Sequence, residues 1–137
     1  MAGSRCGVVA GADSEAAFLH KASRLGFGVS KPWGDSEPYD LIVDSGTRLW
    51  KVQVKSAYRS GEYGGYTFHA HGNEHRKAYS LKDIDVLVAY IVPEDLWYVL
   101  PVSLFRTIKG MKLFPSSRRR RSKYEVYREG WQVLGER

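Results

Sequence analysis

A single cysteine, Cys6, stands among 137 residues, so no internal disulfide can form and a four-cysteine zinc site is excluded. Long apolar runs are also missing. The longest, residues 86–92, is strand-sized and falls far short of the roughly 20 residues that a membrane-spanning helix needs. No basic segment followed by a sustained apolar stretch opens the chain, so no secretory signal is expected. No internal repeat is present. These absences lead to the expectation of a reduced, soluble, cytoplasmic protein, and the length suits one domain. Aromatic side chains, by contrast, are plentiful, with Tyr 9 and Trp 4.

Basic residues are in excess, giving a net charge of +6, but they are unevenly placed. Residues 1–105 carry a net charge of −1 and residues 106–137 a net charge of +7. The excess peaks at Arg118, Arg119, Arg120, Arg121 and Lys123. Such a run is a poor core element and a good polyanion contact, because each neutralised phosphate releases condensed counterions. Five such contacts would contribute about −4 to −5 to the log–log salt slope of binding. A solvated loop or a targeting signal would have the same composition.

Periodicity divides the chain into elements. Residues 1–12, rich in Gly and Ala, read as a flexible tail, and residues 13–137 as one domain with a basic segment at 116–123. Asp13 and Ser14 offer an N-cap to a helix over 15–25, with Phe18, Leu19, Ala22 and Leu25 as its apolar stripe and Gly26 as its stop. Residues 27–33, 39–44 and 49–57 read as strands, the last two joined by a turn at Ser45-Gly46-Thr47. Residues 59–65 form a glycine-rich loop, after which 66–70 return as a strand. The nearly continuous apolar run 85–92 suits a strand buried on both faces, with 96–100 as its hairpin partner. Short helices are expected over 102–108 and 125–134. A helix followed by several strands predicts an α/β fold with a mixed central sheet flanked by helices.

Strand parity gathers a polar set in that sheet. Trp50, Val52 and Val54 share one face of their strand, and Lys51, Gln53 and Lys55 the other. A two-residue loop after Asp44 would set Asp40 opposite Lys51, whereas a four-residue loop would set it opposite Gln53. Either register puts Asp40 on the face of Gln53 and Lys55. Glu15 precedes Phe18, Leu19 and Ala22 by three, four and seven residues, so it lies on the buried stripe of its helix and needs a cation, a metal or hydrogen-bond donors. Carboxylates and an amide oxygen are hard ligands suited to Mg²⁺, and an ammonium can orient a water or stabilise a pentavalent phosphate. This is the chemistry of phosphodiester hydrolysis. Ordinary ion pairs on a half-exposed sheet would use the same residue types.

The order Glu15, Tyr39-Asp40-Leu41-Ile42-Val43, Val52-Gln53-Val54-Lys55 resembles the PD-(D/E)XK nuclease superfamily, most closely its branch of intron-encoded homing endonucleases and Holliday-junction-resolvase-like proteins. The run 85–92, the block Trp97-Tyr98-Val99-Leu100-Pro101-Val102 and the ending 124–134 extend the resemblance from about Asp13 onward. It implies a restriction-endonuclease-like fold and a Mg²⁺-dependent DNA endonuclease, with Mn²⁺ as a possible substitute. By the same resemblance Asp40 is the central metal ligand and Glu15 a further ligand, direct or through water. Gln53 is a neutral ligand or water-positioner, the Val54 carbonyl completes the shell, and Lys55 acts on the attacking water or the transition state. Two departures stand out. Pro38 lies two residues before Asp40 instead of next to it, and Gln53 occupies a position usually held by Asp or Glu. The neutral Gln53 also supports an alternative, a catalytically inactive nucleic-acid-binding module on the same fold. Cutting duplex or branched DNA on two strands calls for a homodimer or homotetramer.

Other residues attract weaker readings. His69 and His71 are spaced to share a strand face, with His75 nearby, but the separation is too short for the ββα-metal motif of His-Asn-His nucleases. Polar contacts along a cleft explain them more simply. Tyr58, Tyr63 and Tyr66 could stack on bases or pack a loop. Cys6 has no His or Asp beside it and is not a candidate nucleophile.

Overall fold

The computed structural model describes residues 6–34, 36–69, 82–105 and 110–135. It opens with helix α1 (Cys6–Arg24), which starts nine residues before the expected one. Asp13 and Ser14 therefore lie inside the helix and do not cap it, and residues 6–12 are helical where a tail was expected. Once the amphipathic part is docked, each added residue closes a hydrogen bond without a new nucleus, which offsets the roughly 1 kcal/mol that Gly7 and Gly11 each cost. The helix stops where the sequence says it should. Gly26 takes the left-handed conformation (φ 94°), and the Phe27 amide returns to the Ala22 carbonyl at 3.0 Å.

Among the described residues seven strands follow: β1 (Gly28–Ser30), β2 (Leu41–Asp44), β3 (Leu49–Ala57), β4 (Tyr66–His69), β5 (Val86–Ile91), β6 (Leu96–Pro101) and β7 (Gly110–Leu113). Five of them form a sheet in the order β1-β2-β3-β5-β6, antiparallel except for the parallel β3–β5 pair. Of the two registers left open by the hairpin, the four-residue loop is present. Asp44 faces Leu49, and buried Ser45 closes the turn by donating from both its amide and its hydroxyl to the Arg48 carbonyl (3.0 and 3.2 Å).

The sheet is covered on both faces, as the apolar run of β5 requires. Val86 and Val88 join Phe18, Ala22, Val52, Val54, Trp97 and Leu134 under α1. Leu87, Ala89 and Ile91 join Tyr98 and Leu100 on the other face, against Tyr66, Phe68, Met111 and Leu113. Those last four belong to β4 and β7, which among the described residues pair with each other as a two-stranded ribbon. The strand β7 was not anticipated. The expected return strand pairs with it and not with the main sheet, because Tyr66 and Phe68 alternate with Met111 and Leu113 to make one apolar face.

Residues 125–134 form not one helix but two 3-10 turns, Glu125–Tyr127 and Trp131–Leu134. Between them Arg128 bridges to Tyr98, Glu129 takes φ 47°, and its amide donates to the Trp97 carbonyl at 2.7 Å. Docking on the edge of β6 therefore wins over helical continuity, and Val126 is left 71% exposed. Residues 102–105 also form a 3-10 turn, while 106–109 lie outside the described residues. In α1, Leu19 and Leu25 are exposed, and the buried line runs through Ser14, Phe18 and Ala22 at helical spacing.

Candidate active site

Asp40 sits immediately before β2, where the hairpin ladder ends at the Leu41–Val52 pair. Its amide donates to the Val52 carbonyl at 2.9 Å, and its carboxylate oxygen Oδ2 accepts from the Val54 amide at 2.9 Å. Asp40 thus brackets Gln53, bound to the residue before it and the residue after it. In an extended strand a residue's N–H and C=O project toward the same edge. The Val54 carbonyl consequently points to the side on which its amide meets Asp40.

Three other charged groups surround this carboxylate. Burial raises the pKa of Asp40 above the usual carboxylate value. The Val54 amide works against that rise, the negative charge of Glu15 adds to it, and the positive charges of Lys55 and Lys31 oppose it. Lys55, on β3 two residues beyond Gln53, has its pKa lowered by burial, with Asp40 pulling it back up. Glu15, on α1, accepts from the Lys31 ammonium at 2.5 Å. The structure therefore brings Glu15, Asp40 and Lys55 into one electrostatic neighbourhood, with half-buried Gln53 between the two residues that hold Asp40.

Lys31 was missed by sequence reasoning. It directly follows β1, whose Ser30 pairs with Ile42, so it reaches the start of β2 from the sheet edge. No periodicity marks such a residue, and only the following Pro32, which holds its predecessor extended, hints that the strand direction continues to it. Among the described residues no three His, Cys, Asp or Glu side chains come together as a metal-binding set. The carboxylates gathered here are those of Asp40 and Glu15.

The basic segment lies elsewhere but is not loose. Ser117 accepts the Arg120 amide at 3.0 Å, and Ser116 donates to Glu94 at 2.6 Å. The Arg120 guanidinium lies 4.1 Å over the Tyr63 ring, which the glycine-rich loop presents in a left-handed turn (φ 58°). Because Tyr66 pairs with Leu113, that loop and the basic segment leave the ribbon at the same end. Arg118, Arg119, Arg121 and Lys123 are exposed. Of the three tyrosines, Tyr66 is a core residue, Tyr63 supports Arg120, and Tyr58 lies 3.4 Å from the buried Ser14 hydroxyl. His69 is exposed at the end of β4, and His71 and His75 lie outside the described residues. No helix among the described residues is long and apolar enough to cross a membrane.

The family model described as PD-(D/E)XK endonuclease matches residues 9–134. The solved structure of the bacterial homing endonuclease I-Ssp6803I is 33% identical, with a TM-score of 0.80 over 90% of this chain and 89% of that one. The Holliday junction resolvase Hjc of the archaeal hyperthermophile Archaeoglobus fulgidus is 17% identical, with a TM-score of 0.56 over 93% of this chain and 97% of that one. At that identity the second likeness speaks to fold alone. No curated protein sequence matches the chain.

Proposed function

The chain belongs to the PD-(D/E)XK endonuclease family, with a restriction-endonuclease-like fold, and from that premise we propose that it is a divalent-metal-dependent DNA endonuclease whose site is Glu15, Asp40, Gln53 and Lys55. One observation carries the assignment of residues: the Val54 amide fixes the Asp40 carboxylate against β3, in the electrostatic neighbourhood of a second carboxylate and a half-buried lysine. The likeness to a homing endonuclease at 33% identity favours duplex DNA as substrate over a branched junction.

The donor set fits Mg²⁺, with Mn²⁺ as a substitute. Glu15 and Asp40 supply charged oxygens, Gln53 and the Val54 carbonyl neutral ones, and so few protein ligands suit an ion that keeps several waters. When bound, such an ion supplies a water of lowered pKa and offsets charge on a phosphoryl oxygen. The remaining work falls to the chain itself. Asp40 is held in one orientation by a backbone donor, so no rotamer search precedes binding. Lys55 presents an ammonium to the attacking water or to the charge that builds on the phosphoryl oxygens. The exposed arginines and Lys123 hold the phosphate backbone and set register without reading bases. We place this activity in the cytoplasm.

Plasmid and branched DNA incubated with Mg²⁺, Mn²⁺ or EDTA test the reading directly. Cleavage that EDTA and Lys55→Ala both stop is expected. DNA retention without nicking under every condition would instead support a binding module that has lost its chemistry.

Gln53→Glu tests the neutral ligand. An added negative charge is expected to lower the Mg²⁺ concentration for half-maximal cleavage by about 3–10-fold. A midpoint that does not move would remove Gln53 from the metal shell. The assembly is tested separately. One site per chain and two strands to cut call for a symmetric dimer or tetramer, so sedimentation should give an even multiple of the 15.5 kDa chain on DNA. A monomer that cuts both strands would contradict it.

A further inference from the structure

Four charged groups meet at the site, two carboxylates and two ammoniums. The two lysines differ in place. Lys55 is half-buried on β3, whereas the Lys31 side chain is 64% exposed and stands at the sheet edge. Lys31 also sits directly on a Glu15 oxygen, at 2.5 Å, while the Glu15 side chain itself is only 24% exposed. An ion that takes Glu15 as a ligand must displace that ammonium, and an exposed ion pair is weak enough to be exchanged. An ammonium released there stands exposed at the sheet edge, where an anion can reach it.

We infer that Lys31 is a positioning residue that exchanges between Glu15 and the DNA backbone, so that metal and DNA each favour the binding of the other. In the free protein Lys31 competes with the divalent cation for Glu15. In the complex a phosphate oxygen takes the ammonium and frees the carboxylate. Linkage makes the effect reciprocal: whatever factor DNA adds to metal affinity, metal adds to DNA affinity. The inference rests on the assignment of Glu15 and Asp40 as metal ligands.

Titration calorimetry with Mn²⁺ on the DNA-free protein separates the two readings. Wild type, Lys31→Met, Lys31→Arg and Asp40→Asn are compared, each checked for an unchanged circular dichroism spectrum. Lys31→Met is expected to bind Mn²⁺ about 5-fold more tightly than wild type, the factor that loss of one exposed competing ion pair allows. Lys31→Arg should bind as wild type does, because it restores the competing charge. A purely structural role for Lys31 would weaken metal binding and not strengthen it. Mn²⁺ binding that Asp40→Asn removes but Lys31→Met leaves unchanged or weakens would overturn the inference while sparing the site. Wild type showing no Mn²⁺ binding that depends on Asp40 would overturn both.

Discussion

Asp40→Asn is expected to cleave DNA about 10²–10³-fold more slowly than wild type, a loss of the size seen when one electrostatic contact to the reacting group is removed, and yet to melt at a higher temperature. The two effects share one cause. The folded pKa of Asp40 lies above its unfolded value, chiefly through burial, so folding disfavours the charged carboxylate. The stability that Asp40 contributes when protonated is lost as pH rises from its unfolded value, near 3.9, through its raised folded value, and at pH 7 only the cost remains. Asparagine keeps an oxygen for the Val54 amide and discards the charge.

Lys55→Met should behave in parallel, since the lysine's folded pKa is lowered, again chiefly by burial. Its cost is present at neutral pH and disappears as pH rises through the lowered value toward 10.5. Differential scanning calorimetry at pH 7 alongside single-turnover cleavage is the measurement. Full cleavage by either variant would dismiss this site. Lower melting in both would show that the two charges are structural and not held at a cost for chemistry.

Replacing Arg118 to Arg121 with serine carries the second large effect. Four phosphate contacts contribute about 3–4 to the salt slope, so between 50 and 200 mM salt the wild type should lose about 10²-fold more affinity than the variant. Competition binding across that range checks the value, and an unchanged slope would deny the run a phosphate role. Arg120 should account for the smallest share, because its guanidinium already covers the Tyr63 ring and its amide is held by Ser117. Cutting by the variant at low salt and saturating protein is expected to survive, since none of these residues was assigned to the chemistry.

Much of this arrangement was legible because strands impose a parity of two. Parity left two registers for the hairpin, and the four-residue loop chose between them for Leu41 to Asp44; Asp40 lies just beyond that ladder and is placed by its bonds to Val52 and Val54. The apolar run of β5 announced a strand covered on both sides. The losses have equally local causes. The start of α1 was obscured by glycines that a docked helix tolerates, and the break after Tyr127 by a tertiary contact with Trp97 that no periodicity encodes. The short strand β7 carries only Met111 and Leu113 on its inner face, too few to register as alternation. Lys31 was invisible for a related reason. Its partner lies 16 residues away on another element, and only the β1–β2 pairing brings it to the site.

The parallel β3–β5 pairing also has a kinetic meaning. Its partners lie 34 residues apart, from Val52 with Val86 to Ala57 with Ile91, and the strand it holds is the one whose Val54 amide aims Asp40. Closing so long a loop comes late in folding, after nearby hairpins have already formed. During renaturation, scission of DNA should accordingly lag behind the recovery of helical signal, making enzymatic turnover a clock for the slowest join in the molecule.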